Sequence, residues 1–286
     1  MKSVCITEKA YAKLNLSLRI VDKLPNKFHS IQSHVTFLPE LFDTLHIKKS
    51  TKNSITILGP QANCLEKKGG DTLIKKAIYE ISQLVKKKIY LAIKLEKNIP
   101  LDSGLAGGSA NAAAIVRAIF KLYDIKNNIN ITELKKIGSD VPVCYYSKTS
   151  YVTGVGEKIK CLPNLEKKIW ILLLKPNTSL STKKIFESYN DPLDSKSFFP
   201  FTLKNLIKDM NDKKNALENT VCKLNNDVEK LLHNLPSYNN YTIPRITGSG
   251  NVIFILFKRR KDLINYQKKF PFINKVKWKM ATFLKL

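Results

Sequence analysis

The stretch Ile99-Pro100-Leu101-Asp102-Ser103-Gly104-Leu105-Ala106-Gly107-Gly108-Ser109-Ala110-Asn111-Ala112-Ala113-Ala114 joins two kinds of local structure through a glycine-rich turn. Upstream, residues 89–95 are apolar at every odd position, the period of a half-buried strand. Downstream, a run of alanines is followed by Ile115, Ile119 and Leu122 at i, i+4 and i+7, which predicts a helix burying one stripe. Between them, Gly104, Gly107 and Gly108 allow the backbone to approach a ligand oxygen closely. The start of a helix adds unpaired N–H groups and a positive dipole end. Strand, glycine turn and helix together predict a cradle for phosphate, against the plainer reading of a tight turn with close helix packing.

Working outward, residues 11–20 alternate from Leu14 onward, with apolar side chains at even positions, so Lys13 and Asn15 share the opposite strand face. Residues 43–48 and 54–58 read as further strands. Residues 71–86 carry Leu73, Ala77, Ile81 and Leu84 at helical spacing, with Asp71 placed to cap the helix. A short helix over 132–137 ends at Gly138 and leads into Ser139-Asp140-Val141-Pro142. Gly154-Val155-Gly156 marks a turn, and residues 170–175 form an apolar strand halted by Pro176. Residues 190–200 read as loop and 201–235 as helix. Arg245-Ile246-Thr247-Gly248-Ser249-Gly250 is a second glycine turn before a strand over 252–257. Val276, Trp278, Met280 and Thr282 alternate with lysines and other residues in a last strand. Helices and strands mix throughout, which predicts an α+β protein. A composition shift over residues 147–165 divides the 286 residues into an expected 1–150 and 151–286.

Composition narrows the class. Hydrophobic residues make up 43% of the chain, enough for packed cores, but no apolar run approaches the ~18 residues of a membrane helix. The first residues lack a signal peptide's unbroken apolar segment, so a soluble, cytoplasmic protein is expected. Five cysteines lie far apart, at 5, 64, 144, 161 and 222, with no metal-type spacing, and are expected as reduced thiols. The net charge of +26 is spread along the chain. Its densest runs, Lys86-Lys87-Lys88 and Lys258-Arg259-Arg260-Lys261, are short and not interleaved with aromatic residues. That favours a lysine bias over a nucleic-acid or membrane surface, and a basic field suits a small polyanionic ligand.

Familiar phosphate signatures do not match. No glycine is followed by lysine as Walker A requires, Gly-x-Gly-x-x-Gly is absent, and the protein-kinase elements are missing. Instead, residues 100–114 resemble the central motif of the GHMP kinase superfamily. Ala12-Lys13-Leu14-Asn15-Leu16-Ser17-Leu18 resembles its first motif, and Pro244-Arg245-Ile246-Thr247-Gly248-Ser249-Gly250 its third. Gly138-Ser139-Asp140-Val141-Pro142 and Gly154-Val155-Gly156-Glu157 narrow the resemblance to the 4-diphosphocytidyl-2-C-methyl-D-erythritol kinases of non-mevalonate isoprenoid synthesis.

The resemblance implies a two-lobed α+β fold, with an N-terminal lobe like ribosomal protein S5 and a ferredoxin-like C-terminal lobe. It implies ATP-dependent phosphorylation of the 2-hydroxyl of 4-diphosphocytidyl-2-C-methyl-D-erythritol, with magnesium. ATP is expected at Lys97, Pro100, Gly104, Leu105, Ala106, Gly107, Gly108, Ser109 and Ala110, with backbone amides of residues 105–109 around its phosphates. Ser109 would reach the metal, cap the helix, or both. Asp140 is expected as the base and Lys13 as its partner, whether Asp140 takes the proton or orients the hydroxyl. Asn15 bonds the substrate or orients Lys13. Phe28, His29 and Phe186 would hold the cytosine, with Thr182 beside them, although Phe186 equally suits a core position and Lys97 a solvated one. The chain departs from the family at Asn26 and Lys27, where Asp-Gly is usual, and at Thr72, Ala110 and Asn111. The competing readings are another GHMP-type small-molecule kinase, a catalytically dead relative, or a basic nucleic-acid-binding protein.

Overall fold

The computed structural model describes residues 4–25, 28–125, 130–196, 199–239 and 241–286. It is an α+β molecule of two lobes, each built on one sheet. The first lobe runs through β1 (Cys5–Asn15), β2 (Arg19–Lys23), β3 (His29–Lys49), β4 (Ser54–Leu58), α1 (Ala62–Glu66), α2 (Thr72–Val85), β5 (Leu91–Glu96), α3 (Gly107–Leu122), α4 (Val141–Tyr146), β6 (Ser150–Gly154) and β7 (Lys158–Cys161). The second contains β8 (Lys168–Lys175), α5 (Thr182–Glu187), α6 (Leu203–Asp212), α7 (Glu218–Leu224), α8 (Asn226–Asn234), β9 (Arg245–Ile246), β10 (Ile253–Phe257), α9 (Arg260–Lys269) and β11 (Trp278–Lys285).

β3 is the spine of the first sheet. Residues 44–49 pair with β5, and residues 31–35 with β6, while β1 and β2 pair with β3 as well. The sequence predicts a strand only over 43–48, because Leu38-Pro39-Glu40-Leu41 breaks the alternation. The structure carries the strand through that point with a bulge: Tyr11 faces Phe42 but Lys13 faces Phe37. A bulge leaves residues unpaired, so Pro39 removes no ladder bond there. Leu38 and Leu41 turn into the core that the two lobes share.

The second sheet has the order β11-β8-β10-β9 and is covered on both faces. Ile169, Ile171 and Leu173 meet Ala12, Leu14 and Leu16 of the first lobe, while Leu172 and Leu174 meet Leu217, Val221 and Leu263. Burial on both faces explains why this strand reads as an unbroken apolar run.

Three expectations are corrected. α3 is not buried along one stripe: Ala112, Ala113, Ala114, Ile115, Val116, Ala118 and Ile119 are all fully buried, and small side chains let sheet and helices approach from several sides. Residues 201–235 are not one helix but α6, α7 and α8. Asn215 and Asn225 break them, with Oδ1 accepting from the Leu217 amide and from the Asp227 and Val228 amides respectively. The division expected at residue 150 falls inside the first sheet, whose last two strands run to Cys161. Among the described residues no helix is long and apolar enough to cross a membrane.

Candidate active site

The glycine loop delivers three backbone amides. α3 begins at Gly107, capped by Ala106 in the left-handed conformation (φ 53°). The first intrahelical bond runs from the Ala110 amide to the Ala106 carbonyl (2.9 Å), so the amides of Gly107, Gly108 and Ser109 precede the ladder. These three residues line a cleft of about 840 Å³ together with Pro100, Gly104 and Ala106. Ser109 is a cleft-lining helix residue and not the cap, which leaves its hydroxyl for other work.

Leu105 and Ala110 do not join this wall. Leu105 is buried in the shared core, its carbonyl accepts from the Lys13 amide (2.9 Å) and its own amide donates to Ser103 Oγ (3.3 Å). The Ala110 amide is spent in the helix and its methyl lies in the first-lobe core.

Lys97 is neither solvated nor unpaired. It is 1% exposed, and Nζ lies 2.5 Å from Asp43 Oδ2. Asp43 Oδ1 accepts from the amides of Asn98 (2.7 Å) and Ile99 (2.8 Å), pinning the chain just before the glycine loop. A β-carbon on Gly107 would fall 2.9 Å from Lys97 Nζ, so the ammonium sits against the start of α3. Sequence reasoning took Asp43 only as the start of a strand. The available signal was its phase, since it shares the core-facing positions of Leu45 and Ile47. Nearby, Asp71 caps α2 and accepts from Asn111 Nδ2 (3.0 Å); burial pushes its carboxyl pKa up. Asn111 is thereby a core residue.

At the centre of the cleft, Lys13 Nζ on β1 and Asp140 Oδ1 are 2.5 Å apart. Asp140 precedes α4 yet makes no capping bond with its side chain, which turns to Lys13 instead. The side chain of Asp140 is 38% exposed and that of Lys13 only 6%. The turn Gly154-Val155-Gly156-Glu157 supports this point: Glu157 Oε2 accepts from the Val155 amide (2.8 Å), and a β-carbon on Gly156 would fall 2.9 Å from the Ser139 carbonyl. Behind it, burial raises the Cys144 thiol to about 12 and keeps it inert. Asn15 donates from Nδ2 to Ser33 Oγ (2.7 Å), while Oδ1 is buried without a partner among the described residues. Both Lys13 and Asn15 line the cleft.

The far end is aromatic. Phe28, His29, Ile31 and Phe186 line it, with the His29 and Phe186 rings 5.7 Å apart. Burial and then Lys23 lower the His29 pKa, and Nδ1 is without a partner among the described residues. Phe186 both lines the cleft and packs on the second-lobe core. Thr182 Oγ1 and Ser249 Oγ share a hydrogen bond (2.8 Å) that ties α5 to the second glycine turn. Asn26 and Lys27 lie outside the described residues. Thr72 does not line the cleft. Asp102 (paired with Lys68), Ser139, Gly248 and Ser249, all within the motifs quoted above, also line the cleft, as does Lys183, which no motif marks.

The cleft thus offers an amide-lined wall for an anion, an acid–base ion pair at its centre and an aromatic end for a flat ring. Residues 72–148 match the family model for the GHMP kinases N terminal domain. The chain is 35% identical over 256 residues to the 4-diphosphocytidyl-2-C-methyl-D-erythritol kinase of Anaplasma marginale (strain Florida), covering 87% of this chain and 86% of that protein. It is 33% identical over 258 residues to the enzyme of that name from Ehrlichia ruminantium (strain Gardel), covering 89% and 90%. A crystal structure of 4-(cytidine 5'-diphospho)-2C-methyl-D-erythritol kinase superposes with a TM-score of 0.72 at 20% identity, over 98% of this chain and 100% of that one. Homoserine kinase from Cytophaga hutchinsonii superposes with a TM-score of 0.66 at 17% identity, over 100% and 96%.

Proposed function

The chain belongs to the 4-diphosphocytidyl-2-C-methyl-D-erythritol kinases within the GHMP kinases and is an ATP-dependent small-molecule kinase; from that premise we propose that it phosphorylates the 2-hydroxyl of 4-diphosphocytidyl-2-C-methyl-D-erythritol, releasing ADP. The observation that carries this reading is the Lys13–Asp140 pair, lying in one cleft with the unladdered amides of Gly107, Gly108 and Ser109. Phosphoryl transfer asks for positioning and charge neutralisation more than covalent chemistry. The three amides and the α3 dipole receive the phosphates. Lys97, neutralised by Asp43, stiffens the loop from beneath.

Asp140 accepts the proton of the substrate hydroxyl as its oxygen attacks the γ-phosphorus of ATP. Lys13 holds the carboxylate in place and steadies the negative charge growing on that oxygen. Asn15, two residues from Lys13 on the same strand face and held by Ser33 Oγ, keeps β1 in place beside them. Cytosine lies among Phe28, His29 and Phe186, where a neutral imidazole offers a hydrogen bond to the ring edge. The first 150 residues supply the phosphate wall, and residues 151–286 supply Thr182, Phe186 and the second glycine turn.

Magnesium fits this site as an ion carried on ATP. Among the described residues no three metal-type side chains cluster, and Mg²⁺ needs few protein ligands because it keeps waters and binds phosphate. The Ser109 hydroxyl is the protein group that would meet it. When bound, the ion supplies neutralisation of phosphate charge.

The test is ADP release by purified protein against 4-diphosphocytidyl-2-C-methyl-D-erythritol, homoserine and mevalonate, with phosphorus NMR of the product. Turnover restricted to the cytidyl substrate is expected; turnover of homoserine or mevalonate instead would refute the reading.

A further inference from the structure

Lys183 lines the cleft and has no task in the reading above. We propose that Lys183 is a positioning residue that receives the diphosphate of the substrate and makes the cleft prefer a nucleoside diphosphate to a bare nucleoside. The inference rests on the proposed function and deepens it.

Among the described residues, the lysines on the cleft are Lys13, Lys97 and Lys183. Lys13 is held by Asp140 and Lys97 by Asp43, each at 2.5 Å. The side chain of Lys183 is 83% exposed, and its ion-pair partner, Glu187, is 3.9 Å away on the next turn of α5. A loose pair of that kind contributes little and yields readily to a stronger anion.

Its place along the cleft is the second argument. Lys183 and Phe186 are three residues apart on one helix, hence neighbours on one face, one turn (~5.4 Å) along the axis. Thr182, the preceding residue, is bonded to Ser249, and a β-carbon on the adjacent Gly248 would fall 3.0 Å from Asn15 Oδ1. The lining therefore runs from the aromatic end past Lys183 and Thr182 to Ser249, Gly248 and Asn15, and so to Lys13 and Asp140. A ligand with its ring at Phe186 and its reacting hydroxyl at Asp140 brings whatever joins them past Lys183. In the substrate that linker is anionic, and Glu187 on the same rim makes a neutralising cation more necessary. The lysine side chain, a flexible point charge, can follow either phosphate.

The experiment compares wild type with Lys183→Gln and Lys183→Arg in steady-state kinetics, using CDP and cytidine as competitive inhibitors. Loss of one charge-assisted hydrogen bond in a half-open cleft corresponds to roughly tenfold. In Lys183→Gln we expect kcat/KM for the cytidyl substrate to fall by about that factor through KM, and the Ki of CDP to rise equally. Cytidine Ki and the KM for ATP stay within about twofold, since neither ligand presents this diphosphate. Lys183→Arg restores most of the loss. An unchanged CDP Ki, or equal losses for CDP and cytidine, would overturn the assignment while leaving the proposed function intact. A wild type that binds no CDP and ignores the cytidyl substrate would overturn the functional reading itself.

Discussion

Gly104 and Gly250 meet backbone to backbone: a β-carbon on Gly104 would lie 2.7 Å from the Gly250 carbonyl oxygen, and 2.6 Å from that of Thr247. Gly104 belongs to the phosphate loop and Gly250 to the second glycine turn, so the two lobes meet main chain to main chain at this point. The Val252 amide adds a bond to the Ser103 carbonyl (3.3 Å) at the same seam.

The two glycines should respond differently to alanine. Both have positive φ, +72° and +75°, which costs alanine about 1 kcal/mol. At Gly104 the added methyl meets carbonyl oxygens that cannot rotate away. At Gly250 it meets Val221 Cγ1 at 3.1 Å, a side chain that can adjust. Gly104→Ala is expected to lose at least ~100-fold in kcat/KM as the loop shifts, and Gly250→Ala less than ~10-fold. ADP-release assays and calorimetry on the two variants check the contrast.

Asp140→Asn keeps shape and removes the basic oxygen. A kcat loss on the order of 10³ is expected, with substrate KM within about threefold. Lys13→Met should cost a similar factor, and the double variant little more than either, because the pair acts as a unit. Turnover of Asp140→Asn within about tenfold of wild type would remove Asp140 from the role of base.

Asp43 and Lys97 should behave as a coupled buried pair. Asp43→Asn leaves the Lys97 ammonium in the core without a counter-charge, a loss of about 3–5 kcal/mol. Lys97→Met leaves the carboxylate stranded at comparable cost. The double variant is expected to recover part of both losses. Urea unfolding of the four proteins gives the cycle directly.

His34 predicts a pH dependence. Its ring lies against Phe199, Phe201 and Tyr151 at 4.6, 5.6 and 5.0 Å, and Nδ1 meets Ser17 Oγ at 3.0 Å. Burial first, and then Arg19, push its pKa from 6.5 to about 4, with Asp209 opposing them. Folding therefore favours the neutral ring. Its contribution is complete above about 6.5 and is lost as pH falls toward about 4. Tm should decline through that window, and His34→Phe, which keeps the packing, should flatten the decline. Thermal melts at half-unit steps of pH measure both curves.

What could be read in the chain was whatever its local pattern encodes. Lys13, Asp140 and the glycines sit in short motifs whose residue types imply their chemistry, and Asp71 announces its cap by standing just before a helical period. The pattern points to a start of α3 near Ser109, because a left-handed backbone usually signals glycine, whereas here Ala106 takes that conformation and the helix begins at Gly107. Asp43 was passed over because its partners, residues 97–99, are brought to it only by the pairing of β3 with β5. Nothing in the sequence around Lys183 sets it apart from the other lysines, and α5 places it beside Phe186. The full length of β3 was hidden by Pro39, whose place at a bulge depends on the register of β1, a non-local fact.

β3 also governs how this protein can be taken apart. β6 and β7 lie beyond residue 150, and β6 completes the ladder along residues 31–35. A gene cut at that position would yield a first fragment with a raw, sticky margin and a second carrying two orphan strands. The lobes are consequently not interchangeable modules: chimeras between relatives must exchange material through residue 161 or inherit an insoluble half.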